Sequence, residues 1–95
     1  MSTDANREPV RDHEIHATLQ QALQPVFLQV NDDSASHAGH AGSNGSLYGT
    51  HFSLHIRASC FAGLTPVARH RLVYDALRDL MPRGIHALAI KAEPA

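Results

Sequence analysis

The sequence is short of several residue types whose presence would have indicated a function. It contains one cysteine and no tryptophan in 95 residues. A single cysteine cannot form an internal disulfide, a CxxC redox pair or a zinc ribbon, so export into an oxidising compartment is not required. The phosphate-binding glycine patterns are absent as well, because no helix start follows Gly39, Gly42 and Gly45.

Net charge and long apolar runs are equally scarce. The formal net charge is -1, which argues against a partner held mainly through phosphate contacts, since such binding needs a clear surplus of Lys and Arg. No apolar run approaches the length that spans a bilayer. Residues 1–11 are polar and do not resemble a signal peptide. We therefore expect a soluble, cytoplasmic protein without membrane contact.

The pattern of apolar residues predicts a single α+β domain. The order is helix, strand, strand, helix, strand, and a three-stranded sheet covered by helices on one face would bury every apolar side. We place this domain at residues 12–92, between a flexible N-terminal tail at 1–11 and a short C-terminal tail at 93–95. A chain of this length has room for one small core.

The first half is predicted to contain one helix and two strands around a long loop. Asp12 can cap the helix, which ends before the next proline. Alternating apolar residues predict strands at 26–30 and 50–60, with Cys60 on the buried face of the second strand and its thiol structural. The glycine-rich segment 31–49 is a long loop, and loops of this kind are usually functional or disordered.

The second half is predicted to contain a helix and a last strand. Thr65 fits an N-cap and Pro66 the first helical position. Pro82 and Gly84 end the helix, and the last strand covers 85–92. The inward stripe of this helix is predicted to be Val67, His70 or Arg71, Tyr74, Leu77 and Met81, with Val73 and Leu80 beside it.

Histidine, in contrast, is abundant, with eight copies. Imidazole is a common ligand of borderline metals. His86 is the best-placed candidate, because it shares a phase with Leu88 and Ile90 and lies where the helix-covered face meets solvent. A ring nitrogen there can point outward while the protein holds the other, as a metal ligand requires. The alternative, which position alone favours, is a half-buried core histidine.

Other histidines are weaker candidates. His37 and His40 lie in the predicted loop, where imidazoles three residues apart can meet one metal ion, although two ligands do not make a closed site. The alternative is a solvated loop histidine, which we prefer for His40. His13 and His16 lack the Glu and the spacing of the His-Glu-x-x-His zinc motif, so we interpret them as surface residues.

The predicted second helix has a basic side. It could contact nucleic acid or an acidic partner through Arg69, Arg71, Arg78 and Arg83. The alternative is a solvated helix face whose charge is offset by Asp75 and Asp79. A hydrolase is not indicated, since Ser34 and Ser36 have no nucleophile elbow and no acid placed to activate them.

Six short strings, in their order and spacing, resemble the BolA family from about Asp12 to Ala92. They are Val30 to Ser34, His37 to His40, Thr50 to Phe52, Phe61 to Leu64, Arg69 to Tyr74, and Ile85 to Leu88. Each string is weak alone, and the set is specific. The resemblance implies an α/β fold of the type seen in class II KH domains, which agrees with the element order predicted above.

The resemblance also implies a non-enzymatic partnership with a monothiol, CGFS-type glutaredoxin in iron–sulfur cluster trafficking or iron sensing. In that complex a 2Fe–2S cluster bridges the two proteins, and the glutaredoxin supplies its cysteine and a glutathione thiol. The other protein supplies a histidine in the position of His86 and a second ligand from the loop. Here the loop residue is His37, with His40 as a competing imidazole, and His70 is carried over as structural.

Two further expectations follow from the resemblance. The isolated chain is expected to hold no cluster and to be a monomer or weak homodimer, because two ligands alone do not complete a site. Bacterial members are linked to transcriptional control, so a DNA-binding regulator that uses the second helix is the alternative function. The net charge of -1 and the lack of a Gly-x-x-Gly clamp between helices count against this alternative.

Overall fold

A computed structural model describes residues 8–37 and 47–95, apart from the side chain of His37. The elements are α1 (Asp12–Leu23), β1 (Phe27–Asp32), α2 (Ser34–His37), β2 (His51–Ala58), α3 (Pro66–Ala76) and β3 (Ala87–Pro94), with short 3-10 helices at Ser59–Phe61 and Met81–Arg83. The predicted order is confirmed, with α2 added inside the expected loop. Within the described ranges, no helix is long and apolar enough to cross a membrane.

The three strands form one mixed sheet in the order β1-β2-β3. β1 pairs antiparallel with β2, whereas β3 pairs parallel with β2. Because α3 connects β2 to β3, these two strands begin at the same end of the sheet. In this register, His51 at the start of β2 lies opposite Ala87 at the start of β3.

The core lies between one face of the sheet and the two long helices, as predicted. Alternate residues of β2 point into it because successive side chains of a strand point to opposite faces. Its fully or almost fully buried members from these elements are Phe52, Leu54, Ile56 and Ala58 of β2, Ile15 and Leu19 of α1, and Val73 of α3. On the opposite face, β2 presents the polar residues His51, Ser53, His55 and Arg57, none of which is buried.

The inward stripe predicted for α3 is wrong in part. Val67 is 62% exposed and Tyr74 is 41% exposed, whereas Val73 and Leu77 are fully buried. The apolar residues of this helix occupy several phases, and packing selects the pair at i and i+4. The start of α3 is confirmed, since the Thr65 hydroxyl accepts a hydrogen bond from the Ala68 N–H at 3.1 Å.

The predicted burial of Cys60 is also wrong, because its side chain is exposed. The expected strand 50–60 ends at Ala58, and the chain turns into the 3-10 helix at Ser59–Phe61. The turn interrupts the alternation of the strand, so Phe61 takes the inward position and is fully buried.

Within the described residues, the segments predicted as tails include packed or paired positions at both ends of the domain. Val10 is fully buried, and the Glu8 carbonyl accepts a hydrogen bond from Arg83 Nε at 3.0 Å. Arg11, rather than Asp12, is the N-cap residue of α1. The expected tail at 1–11 therefore overlaps a packed segment. At the other end, β3 continues to Pro94, because its pairing with β2 extends past residue 92.

Candidate metal-binding site

A hydrogen-bonded network around Asp32 and Ser34 joins the end of β1 to the start of β2. The Asp32 carboxylate accepts hydrogen bonds from the Ser34 N–H at 2.9 Å, the Gly49 N–H at 3.0 Å and the Ser34 hydroxyl. The fully buried Ser34 Oγ in turn accepts from the N–H groups of Thr50 at 2.9 Å and His51 at 3.1 Å. This Asp32/Ser34 network fixes the backbone from which the His51 side chain projects.

Gly49 permits a close approach beside this network. Its φ is +85°, and an added Cβ would lie 2.8 Å from Pro9 Cβ and 3.1 Å from the carbonyl oxygen of Val10. Only glycine adopts this conformation without strain. The N-terminal segment and the start of β2 are therefore packed backbone against backbone.

Two imidazole rings, those of His51 and His86, lie side by side at this end of the sheet. Their centroids are 5.5 Å apart and their planes are inclined by 50°. The Thr50 carbonyl accepts hydrogen bonds from the His86 N–H at 2.7 Å and the Ala87 N–H at 3.1 Å. Nδ1 of His51 lies 2.9 Å from Oγ1 of Thr50, which is almost fully buried. Thr50 therefore contacts both residues of the His51/His86 pair, His86 through its carbonyl and His51 through its hydroxyl.

The structure places His86 just before the last strand, at the end of the sheet. β3 begins only at Ala87, and His86 is exposed, with its ring next to that of His51. Leu88 and Ile90, which follow in the strand, do pack against the core. The last strand therefore starts two residues later than the predicted strand at 85–92. The role of His86 as a ligand stays a prediction.

The loop histidines cannot be compared with this pair in the structure. The side chain of His37 and the whole of His40 lie outside the described residues. Among the residues that the structure does describe, no group of three or more His, Cys, Asp or Glu side chains could hold a metal ion. His13 and His16 are exposed on α1, as predicted.

A third strand histidine has a different environment. Nε2 of His55 lies 2.6 Å from the Glu93 carboxylate, and its ring meets the edge of Phe27 at a centroid distance of 4.9 Å. The hydrogen bond with His55 lowers the pKa of Glu93. His55 therefore pairs with a carboxylate on the same face of β2 as His51, four residues further along the strand.

The four arginines proposed as a partner surface separate into two groups. Arg69 donates to the carbonyl oxygens of Leu64 at 3.1 Å and Ala92 at 3.2 Å. Arg83 donates to the Glu14 carboxylate at 2.7 Å and 3.2 Å. Arg71 and Arg78 are exposed. Two of the four guanidinium groups are thus used to join elements within the domain.

Sequence reasoning missed His51 and the Asp32/Ser34 network. Nothing in the local sequence links His51 to His86, because the two are adjacent only through parallel strand pairing. The network did leave a local signal, since an Asp followed two residues later by Ser favours a side-chain-to-backbone turn.

Comparison with known proteins gives a consistent result. A family model described as BolA-like protein matches residues 19–95. SufE-like protein 1, chloroplastic/mitochondrial, from Arabidopsis thaliana is 46% identical over 86 residues, covering 87% of this chain and 23% of that protein. Protein BOLA1, chloroplastic, from the same plant is 48% identical over 73 residues, covering 76% of this chain and 46% of that protein. The chain thus spans less than half the length of either relative.

A solved structure agrees with the sequence matches. The BolA domain of SufE1 from Arabidopsis thaliana superposes with a TM-score of 0.78 at 43% identity, covering 88% of this chain and 91% of that chain. The three-stranded sheet and its helices are therefore those of a known domain type. The prediction of a mixed α and β fold is confirmed.

The prediction of a cytoplasmic location is wrong. The two plant relatives are named as chloroplastic or mitochondrial proteins, which points away from a purely cytoplasmic location. Targeting signals are read from segments separate from the folded domain. The composition of the domain is consequently a poor guide to its compartment.

Proposed function

Because this chain belongs to the BolA-like family, we propose that it is a non-enzymatic partner of a monothiol, CGFS-type glutaredoxin, with which it holds a bridging 2Fe–2S cluster. In this proposal the glutaredoxin supplies a cysteine thiolate and a bound glutathione thiol. This chain supplies imidazole nitrogen, with His86 as the first ligand. The role is in the trafficking of iron–sulfur clusters or in iron and redox regulation.

The observation that carries the proposal is the placement of His86. Its side chain is exposed at the end of the sheet, while its backbone N–H donates to the Thr50 carbonyl at 2.7 Å. A ligand to a cluster shared between two proteins has to be accessible from outside and firmly held. Both conditions are met by a residue that directly precedes a paired strand.

The donor set fits such a cluster. Imidazole is a suitable ligand for iron, and histidine replaces cysteine on one iron in Rieske centres, where it raises the reduction potential. The proposal assigns the thiolates to the partner, and it agrees with the finding that no group of three ligating side chains exists among the described residues. When bound, the cluster would supply one-electron redox chemistry and transferable iron and sulfide.

The second ligand was expected from the loop, at His37 or His40. Their side chains lie outside the described residues, so support for them comes from the family resemblance alone. The proposal needs one further nitrogen from this chain without depending on which histidine provides it.

Reconstitution tests the proposal directly. The chain is mixed with a monothiol glutaredoxin, glutathione, iron and sulfide, and the visible absorption and circular dichroism are recorded. We expect a heterodimer with a cluster spectrum that differs from that of the glutaredoxin alone, and we expect His86→Ala to abolish the difference. His55→Ala is the matched control. An unchanged spectrum and cluster stability in His86→Ala would contradict the assignment.

DNA binding receives less support from the structure. Arg69 and Arg83 donate their hydrogen bonds within the domain, which leaves Arg71 and Arg78 exposed on that side. A salt titration of duplex binding tests this alternative, because phosphate contacts by Lys and Arg produce a strong salt dependence. We expect no measurable affinity even at low salt.

A further inference from the structure

We propose that β1 is a docking edge for a second copy of this chain, whose own β1 adds antiparallel to it and makes one continuous six-stranded sheet. The observation behind this proposal is that the two outer strands of the sheet differ in how their free edges are protected. The homodimer is independent of the proposed function, because it requires neither a glutaredoxin nor a cluster.

The backbone of β1 leaves one row of polar groups without a strand partner. The Asp33 N–H, directly beyond the strand, donates to the His51 carbonyl at 2.7 Å. In an antiparallel pair, residues that bond to the partner strand alternate with residues that do not. The N–H and C=O groups of Leu28 and Val30 therefore point away from β2. Within residues 8–37 and 47–95 no strand lies on that side, because the sheet order is β1-β2-β3.

The edge of β3, in contrast, is protected against the addition of a strand. Its sequence contains Lys91 and Pro94, and charged residues and proline are the usual means by which proteins protect an edge. The Ala92 carbonyl also accepts a hydrogen bond from Nη1 of Arg69 at 3.2 Å. A backbone acceptor of β3 is therefore already occupied by a side chain of α3.

The first five residues of β1 have no such protection. The segment 27–31 is Phe-Leu-Gln-Val-Asn, without a charge or a proline. Apolar surface continues past its start, since Val26 is 73% exposed and Phe27 is 42% exposed. An exposed edge of this kind is a template for pairing with another strand. Of the two outer strands, β1 is therefore the one that is free to pair.

The chemistry of this edge selects an uncharged strand as its occupant. An added strand places alternate side chains beside Leu28 and Val30, which pack against the core. A charge at those positions would lose water without gaining a partner. β1 itself meets the requirement, because 27–31 carries no charge. The formal net charge of -1 also means that two copies repel each other only weakly. A second copy, paired through the same strand, therefore fits the edge.

One register satisfies both strands. With a twofold axis at Gln29, Leu28 lies opposite Val30 of the second copy, and the outward N–H and C=O groups of both residues find partners. Gln29 then lies opposite Gln29 of the second copy. Asn31 lies opposite Phe27, so the two copies of Asn31 are four residues apart along the strands, or about 13 Å. The register therefore distinguishes two neighbouring positions on the same face.

A groove beside this edge has room for an added apolar side chain. It lies between α1 and β1, has a volume of about 290 Å³, and is lined in part by His16, Ala17 and Val30. In the register centred on Gln29, Leu28 of the second copy lies next to this groove. Burial of that side chain would add a hydrophobic contribution to the backbone hydrogen bonds.

Analytical ultracentrifugation of the full chain, at concentrations up to about 1 mM, tests the dimer. Gln29 is exposed, and Gln29→Lys and Gln29→Glu should each raise the dissociation constant about tenfold or more, because each places two like charges across the axis. A mixture of these two variants should recover the affinity, since opposite charges then face each other. Ala89→Lys, at an exposed position of β3, is the matched control and should have no effect.

Disulfide cross-linking tests the register. Cys60 is exposed, so the variants are made with Cys60→Ala. Gln29→Cys should form an intermolecular disulfide on mild oxidation, because directly opposite residues in a non-hydrogen-bonded pair have Cα atoms about 4.5 Å apart, a distance that a disulfide spans. Asn31→Cys should not, since its two copies are too far apart. Circular dichroism checks that each variant is folded.

Three results would overturn the proposal. A chain that stays monomeric at the highest concentration would leave the edge to a strand from another protein. A dimer that both charge variants of Gln29 leave intact would use a different surface. Cross-linking of Asn31→Cys as readily as Gln29→Cys would exclude the twofold axis at Gln29.

Discussion

Removal of the Ser34 hydroxyl should destabilise the fold more than any other change of a single oxygen atom in the Asp32/Ser34 network. This oxygen accepts hydrogen bonds from the N–H groups of Thr50 and His51 and donates one to Asp32. Ser34 is fully buried. In Ser34→Ala both N–H groups lose their acceptor in a place that solvent does not reach.

The expected loss of stability follows from these bonds. A buried N–H without an acceptor costs about 1–3 kcal/mol, and two such groups together give roughly 2–4 kcal/mol if they share part of the relaxation. Domains of this size have a total stability of about 5–15 kcal/mol. Ser34→Ala therefore removes a substantial fraction of the free energy of unfolding.

Urea denaturation followed by far-ultraviolet circular dichroism measures the effect. Ser36→Ala is the matched control, because Ser36 is exposed and its hydroxyl donates to the Asp33 carbonyl at 2.8 Å. We expect this control to lie within about 0.5 kcal/mol of the wild type. If Ser34→Ala were no less stable than Ser36→Ala, the Asp32/Ser34 network would not fix the start of β2 as argued.

Three further predictions concern other contacts. Gly49→Ala should lower the free energy of unfolding by about 1–3 kcal/mol, because alanine is strained at positive φ and would press on Pro9; thermal melting measures this. Thr65→Ala should cost about 1 kcal/mol in the same assay, since it removes the N-cap acceptor of α3. The hydrogen bond from Arg83 holds the pKa of Glu14 below its ordinary range, so the stabilisation is fully present above the ordinary carboxyl pKa and is lost as pH falls through the folded-state pKa. The difference in stability between wild type and Glu14→Gln should accordingly shrink on acidification, and a difference independent of pH would contradict the ion pair.

The elements with strong local signals were predicted from the sequence. The alternation of Phe52, Leu54 and Ile56 identifies the buried face of β2, and the structure buries all three. The Thr65-Pro66 start of α3 is confirmed by its capping hydrogen bond. These features depend on neighbours in the chain, so local propensity and periodicity are sufficient to find them.

The errors arise where packing decides between local alternatives. Val67 and Tyr74 were as apolar as the residues that α3 does bury, and only contact with the sheet selects Val73. Cys60 continued the alternation of β2, but the chain had already left the strand at Ala58. No local pattern records where a strand stops pairing, because this depends on the partner strand.

The candidate site also depends on packing that the local sequence does not specify. His51 and His86 are far apart in the sequence and are adjacent because β2 and β3 run parallel from the same end of the sheet. The register of a parallel pair depends on the length and packing of the connecting α3, which periodicity does not specify. The family resemblance places both His51 and His86 in matching strings, but it does not make them neighbours. The neighbour of His86 follows only from the bonds between the Thr50 carbonyl and the N–H groups of His86 and Ala87, which make the two rings a pair before any metal is considered.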